Sequence, residues 1–507
     1  MNKNKQLVIN MSASFIAYAV NFAISFFLSP YIVERVGVDA YGFIGLANNF
    51  ISYAGLISIS LNSMAGRFIT IKIHENDIEG ANRYYTSVFF ANFFITAVMG
   101  AVFVTATVFL EHIINIPENI FWDVKILFAL LFLNCMLGTL GSVFGVSTFA
   151  TNKLYISSMR AIESNLLKVA IILPAFILFV PRVSYLGIST LACGLYAFGF
   201  NVYYMKKLLP DLSIKRAFFD IKAVIEIMMS GVWNLINRIG TLLLDGLDLL
   251  ITNLLINPVS MGILSLAKTI PGMITGIIGS TVGIFSPNFT ILYSQKKDAE
   301  LLASVKQSMK IMGVMANLPI IILIVCGDLF FALWQPTQNA TQLHILSILT
   351  CMALIFNGGV NCIYNIFTVV NKLKPNSLAV CATGVISTIT VFILLKTTNL
   401  GIYAVAGVSS IVATIRNLVF TIPYSARCLN QKWYIFFPAV IRPVIFVIIS
   451  VVLGYIVKLV VPFGGWIQLI LLGIVVMIIS LLVGIFVILN KTDREYLKSK
   501  LSKRRAK

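Results

Sequence analysis

Apolar runs of roughly 20 or more residues recur about fourteen times along this 507-residue chain. No other feature limits its fold as strongly. A run of that length is what an α-helix needs to cross a bilayer. In lipid the backbone N–H and C=O groups of each span must be satisfied internally, which a helix does by itself. The runs lie near 10–33, 42–66, 84–110, 122–148, 160–180, 183–205, 226–256, 262–288, 309–333, 342–368, 377–396, 400–425, 438–461 and 466–490. Charged residues are 11% of the chain, less than half the usual share in soluble domains, so the pattern predicts an all-α, multi-pass membrane protein. The first run follows Lys3 and Lys5, exceeds a signal-peptide core and lacks a clear cleavage site. It reads as a retained first transmembrane helix.

If each gap alternates sides, 29 of the 38 Lys and Arg residues fall on the N-terminal side. These include the basic tail from Lys491 to Lys507. Five fall on the other side (Arg35, Lys125, Arg182, Lys396, Lys458) and four inside helices (Lys168, Arg238, Lys268, Arg416). The positive-inside rule then places both termini in the cytoplasm and favours an even number of helices. This asymmetry accounts for much of the net charge of +19. With no zinc-ligand spacing, RNP-like motif or separate basic domain, a nucleic-acid partner is not expected. The most basic loop, 206–222, reads as a topology determinant in contact with anionic lipid. The seven cysteines are isolated from one another and read as small core residues. No phosphate-binding loop and no histidine cluster is present, so neither ATP, a metal nor another cofactor is expected.

A shift of about 220 residues overlays the chain on itself. Ser14, Tyr18, Asn21 and Ser25 fall on Asn234, Arg238, Thr241 and Asp245, Gly42 falls on Gly262, and Leu46-Ala47-Asn48 falls on Leu266-Ala267-Lys268. At a shift of 219, Asn152-Lys153-Leu154 meets Asn371-Lys372-Leu373. The order predicts two parallel six-helix lobes related by a pseudo-two-fold axis along the membrane normal, an arrangement used by transporters with a site between halves. The predicted parts are 1–210, an N-lobe of helices 1–6; 211–430, a C-lobe of helices 7–12; and 431–507, helices 13–14 with a basic cytoplasmic tail.

The functional candidates are polar groups inside these runs. Asn234, Arg238, Thr241, Asp245 and Asp248 are spaced by four, three, four and three residues, one face of a continuous helix. Lipid does not tolerate such a face, so it is expected to line a hydrated cavity opposite Ser14, Tyr18, Asn21 and Ser25. Lys268 is expected to pair with Asp248 or Asp245, leaving Arg238 free; alternatively Arg238 pairs with Asp245 or caps carbonyls. Lys168 and Arg416 add two intramembrane cations that either face the cavity or snorkel to the interface. At about 2.5–3.5 kcal/mol each, four lipid-facing cations would cost on the order of 10–14 kcal/mol. Asn357, Asn361 and Asn365 form a further stripe, suited to helix packing or to sugar hydroxyls. Asp245 and Asp248 are candidates for H+ or Na+ coupling.

The segments Asn10-Met-Ser-Ala-Ser14 and Val36-Gly37-Val38-Asp39-Ala40-Tyr41-Gly42, the Asn152-Lys153-Leu154 loop, the six-plus-six-plus-two plan and the cationic interior together resemble a family. It is that of the polysaccharide or O-antigen flippases of the multidrug/oligosaccharidyl-lipid/polysaccharide exporter superfamily, and the resemblance covers essentially the whole chain. It implies alternating access and movement of an undecaprenyl-pyrophosphate-linked oligosaccharide, with membrane lipids and polysaccharide polymerase machinery as partners. Arg238, Lys268, Lys168 and Arg416 would then meet pyrophosphate, and polar groups such as Tyr18, Asn21 and Asn361 would meet sugar. The alternatives are a cation-coupled multidrug exporter or a cell-wall precursor flippase of the same superfamily. A membrane polysaccharide polymerase is disfavoured because no outer loop is large enough to hold a catalytic site.

Overall fold

The computed structural model describes residues 3–370, 372–460 and 465–488, so the basic tail and Asn371 lie outside the described residues. Every predicted run is matched by a helix long and apolar enough to cross a membrane. They are α1 (Ser12–Val36), α2 (Val38–His74), α3 (Ile78–Val108), α4 (Glu118–Ala150), α5 (Leu154–Leu178), α6 (Ser184–Leu208) and α7 (Ile221–Gly246). They continue as α8 (Thr269–Tyr293), α9 (Asp298–Trp334), α10 (Ala340–Val360), α11 (Leu373–Thr397), α12 (Ile402–Cys428), α13 (Phe437–Val460) and α14 (Trp466–Val487). A shorter apolar helix, Pro258–Ala267, precedes α8. The outer faces are dense in exposed Ile, Leu, Val and Phe, for example Phe27, Phe94, Ile177 and Leu459, as a lipid-facing surface requires.

The contacts group the chain into two compact units. The first runs to Leu242 and regains Gly246–Ile263; the second holds Leu243–Asp245 and continues from Leu264. In the first unit, Leu61, Ile69, Tyr85, Val88, Val143, Phe144 and Met205 bury one core, and Ala223, Val224 and Ile227 of α7 are part of it. Gly231 permits this: a Cβ there would stand 1.9 Å from the Ser60 carbonyl oxygen, so α7 lies against α2 backbone to backbone. By contact, α7 therefore sides with the first six helices. The division after residue 210 describes sequence symmetry, and we retain it as a proposal on that ground.

In the second unit, Ile321, Val325 and Cys326 of α9 pack with Phe446 and Val447 of α13 and with Leu469, Leu472 and Val476 of α14. The two C-terminal helices are thus built onto α9. A polar clamp fixes one end of this sandwich: Lys458 Nζ donates to both Asp328 carboxylate oxygens, at 2.6 and 2.8 Å, and to the Val325 carbonyl at 2.9 Å. Beside it, Tyr455 donates to the Ile324 carbonyl at 3.0 Å. Lys458→Ala leaves a half-buried carboxylate without its cation, and is expected to cost about 1–2 kcal/mol, the buried-pair loss discounted for partial exposure. A lowered thermal midpoint in detergent, partly restored by adding Asp328→Asn, is the expected reading; an unchanged midpoint would show the clamp to be idle.

Candidate functional site

Five helices of the first unit enclose a cavity of about 200 Å³. Each contributes residues at helical spacing: Asn21, Ser25, Leu28, Ser29 and Ile32 from α1; Tyr41, Ile44 and Asn48 from α2; Leu127 and Leu131 from α4; Asn165 and Lys168 from α5; Leu186 and Thr190 from α6. These positions fall in the half of the unit remote from the N-terminus. Polar and apolar residues share the walls, and the polar groups converge from four of the five helices, a mixture suited to a small-molecule site. Ser29 donates to the Tyr41 hydroxyl at 3.0 Å, which fixes one rim.

Among the described residues Lys168 is the one charged residue lining this cavity, and no carboxylate lines it. Its neighbour Glu163, five residues earlier, is engaged elsewhere: it pairs with Arg160 at 2.6 Å and accepts from the Tyr196 hydroxyl. Among the described residues Lys168 has no ion pair. The ammonium is half-buried, so a hydrated or anion-occupied cavity is what offsets its desolvation. Asn21, Ser25 and Lys168, proposed from sequence, meet in this one place. Ser14 does not reach it, since its hydroxyl is 3.0 Å from that of Ser158 on α5; Tyr18, half-buried, lies one turn before Asn21. Asn48, Asn165 and Thr190 were missed. Asn165 sits three residues before Lys168, on the same helical face, and that spacing was the available signal.

The five-residue face of the seventh run does not form as one face. Leu242–Gly246 is a π-helical turn, and a new α-helix starts at Asp248. A π turn inserts one extra residue, rotating everything beyond it by about 100° at 3.6 residues per turn. As a result Asp245 is exposed and Asp248 is 4% exposed. The carbonyl of Gly246, loosened by the bulge, is capped from α2 by the Tyr53 hydroxyl at 2.6 Å and by Asn49 Nδ2 at 3.0 Å. Before the bulge, Asn234 donates to Ser63 at 3.3 Å, Thr241 donates back to the Arg238 carbonyl at 2.9 Å, and Arg238 is exposed. Among the described residues no ion pair holds the Arg238 guanidinium. Lys268 lies in the second unit and donates to the main-chain carbonyl of Asp245 at 3.3 Å.

A second polar cluster lies within the second unit. Arg416 donates to the Tyr364 hydroxyl at 2.8 Å and to Asn417 Oδ1 at 3.2 and 3.3 Å. Asn417 in turn donates to Asn357 Oδ1 at 2.7 Å and accepts from Thr421 at 2.8 Å. Asn417–Thr421 is again a π turn, so both bulges in the described chain sit beside intramembrane charge. Arg416 and Asn357 are joined through Asn417, which sequence reading passed over. Asn365 donates to the Val282 carbonyl at 3.2 Å, a helix-packing bond. Asn361 follows the last residue of α10, where its N–H donates to the Asn357 carbonyl at 2.9 Å.

No family model matches the chain. A Bacillus subtilis (strain 168) protein, described as uncharacterized membrane protein EpsK, is 24% identical over 498 residues, covering 98% of each chain. Among solved structures, the inward-facing conformation of a multidrug resistance MATE family transporter of the MOP superfamily superposes with a TM-score of 0.67 at 13% identity, covering 83% of this chain and 98% of that one. Lipid II flippase MurJ in an inward closed conformation also gives 0.67, at 15% identity over 93% and 98% of the two chains. A MOP superfamily transporter from Pyrococcus furiosus, described as having a binding pocket of reverse polarity, gives 0.59 at 13% identity over 83% and 95%. The chain therefore has the all-helical fold that MATE transporters and MurJ share, as the resemblance seen in its sequence implies.

Proposed function

We propose that this protein is a flippase, moving an undecaprenyl-pyrophosphate-linked oligosaccharide, an O-antigen or capsule repeat unit, across the bacterial inner membrane by alternating access. The observation that carries the reading is the charge inside the first-unit cavity: a lone ammonium, Lys168, among Asn, Ser, Thr and Tyr side chains and no carboxylate. Phosphate oxygens are the natural counter-ion for such a group, through charge-assisted hydrogen bonds. The surrounding amides and hydroxyls match sugar. A cationic drug would instead meet repulsion here. Nothing in the reading calls for covalent chemistry, so the protein acts as a carrier rather than an enzyme.

In this reading Arg238 and Lys268 supply further positive charge along the path, Arg416 with Asn357 and Asn361 forms the corresponding polar wall in the second lobe, and Ser14, Tyr18, Asn234 and Thr241 extend the hydrated lining. Asp248, buried just past the bulge of α7, and Asp245 are the groups that would bind a coupling proton or Na+. The fold shared with a lipid II flippase supports a lipid-linked substrate, and supports a cell-wall precursor as the nearest competing cargo.

Reconstitution into proteoliposomes tests the reading. Undecaprenyl-pyrophosphate-linked oligosaccharide is expected to become accessible on the far leaflet, and Arg238→Ala to slow that about tenfold by removing one exposed charge contact, worth roughly 1.4 kcal/mol. Equal or faster movement of lipid II would redirect the substrate assignment, and uptake of a lipophilic cation without lipid movement would overturn it.

A further inference from the structure

A second cavity, of about 260 Å³, opens on the first unit away from the one above, between the facing ends of α5 and α6. Its polar lining is Lys153, Arg160, Lys207, Tyr155 and Tyr204. The end of the unit it occupies is the end that carries the N-terminus. Asn10 Nδ2 donates to the Asn152 carbonyl and to Asn152 Oδ1, both at 3.0 Å, and Asn10 Oδ1 accepts from the Tyr155 N–H at 3.0 Å. Gln6 adds a bond to the Asn152 carbonyl at 2.9 Å. The tight loop, with Asn152 at φ +54°, is thereby held and sets the position of Lys153.

Three cations share this cavity with one carboxylate beside it. Glu163 pairs with Arg160, whose guanidinium also lies 4.7 Å from the centre of the Phe200 ring, so Arg160 is oriented rather than loose. Its Nε is buried and has no hydrogen-bond partner. Lys207 lies 3.4 Å from the Tyr203 hydroxyl and 5.5 Å from the ring centre, and no ion pair to Lys153 or Lys207 forms among the described residues. The charge left after Glu163 is counted is two positive, in a concave site. The remaining walls are apolar, Ile156, Met159 and Leu208, and Met159 is exposed.

We propose that this cavity binds a phosphate-bearing anion at the membrane surface on the side of the N-terminus. Basic pockets between transmembrane helices on one side are how lipid headgroups are held, and the apolar wall suits the glycerol and first methylenes of an anionic phospholipid. A soluble phosphate would satisfy the same cations without that wall. The site is separate from the transport cavity and does not depend on which substrate is moved.

The test is native mass spectrometry of the full-length chain in neutral detergent, titrated with phosphatidylglycerol, phosphatidylcholine or inorganic phosphate. Phosphatidylglycerol is expected to bind in preference to phosphatidylcholine, and Lys153→Ala and Lys207→Ala each to weaken it about fivefold, at roughly 1 kcal/mol per lysine near a membrane surface. Binding of inorganic phosphate that the same two variants abolish, with no preference between the lipids, would assign the site to a soluble anion and still support it. Lys206→Ala changes an exposed neighbour outside the cavity and is expected to leave affinity unchanged. If Lys206→Ala weakens binding as much as the other two, the effect is diffuse surface charge and the site is overturned; so too if neither lysine variant changes binding. Lys153→Arg and Lys207→Arg, which keep the charge, are expected to retain phosphatidylglycerol and guard against loss through misfolding.

Discussion

Lys168→Met is expected to reduce lipid-linked oligosaccharide translocation by about a hundredfold or more while leaving the protein at least as stable as before. The two halves of that expectation have one cause. Lys168 holds an ammonium in the first-unit cavity with no carboxylate lining it. An unpaired charge in a partly desolvated site costs folding free energy, so replacing it by an apolar side chain of similar length removes a penalty rather than a stabilising contact. The ammonium is thus held at a cost to stability, and in the proposed function its contact with phosphate is the reason. Truncating one partner of a desolvated charge-assisted contact typically costs about 2–5 kcal/mol, and at 1.4 kcal/mol per tenfold the middle of that range exceeds two orders of magnitude. Lys168→Arg keeps the charge and is expected to retain a substantial part of the activity. The measurement is translocation in proteoliposomes together with the thermal midpoint of each variant. Native rates for Lys168→Met would remove the cavity from the transport path. A fall in its midpoint would show that Lys168 has a stabilising partner after all.

The fold was legible because the property that sets it is local. Twenty apolar residues in a row specify a spanning helix whatever surrounds them, and the fourteen such runs became fourteen helices among the described residues. The pairing of helices is not local. Nothing in Ile221–Thr241 marks its packing against α2 except Gly231, whose meaning appears only once the Ser60 carbonyl is found opposite it. The site divides in the same way. Asn21, Ser25 and Lys168 were readable because polar residues inside apolar runs are expensive and so conspicuous. Asp245 and Asp248 were assigned a common face on the assumption of unbroken α-helix; the π turn at Leu242–Gly246 separates them, and an inserted residue leaves no compositional trace. Asn417 was passed over for a related reason. It lies next to Arg416 in sequence, on a different face of an ideal helix, and a second π turn begins there.

Gly262→Val is expected to destabilise the protein by about 3 kcal/mol or more, at the upper end of what overpacking does, because the obstruction is main chain. A Cβ at Gly262 would stand 2.0 Å from the Val38 carbonyl oxygen, and one at Gly42 would stand 2.7 Å from the Gly262 Cα. Neither neighbour is a side chain that can rotate away. Gly55, also on α2, has no neighbour within 4 Å of its would-be Cβ, so Gly55→Ala is expected to be neutral or to stabilise by about 0.5–1 kcal/mol through helix propensity. The contrast separates close approach from any general intolerance of α2 to substitution. Thermal unfolding of the three proteins in one detergent checks it, and a Gly262→Val midpoint equal to that of the native chain would mean the two backbones do not meet. The shift that aligned the halves of the sequence had already placed Gly42 on Gly262. Each of the two glycines leaves room for main chain of the opposing segment, so Gly262→Val tests this close approach directly.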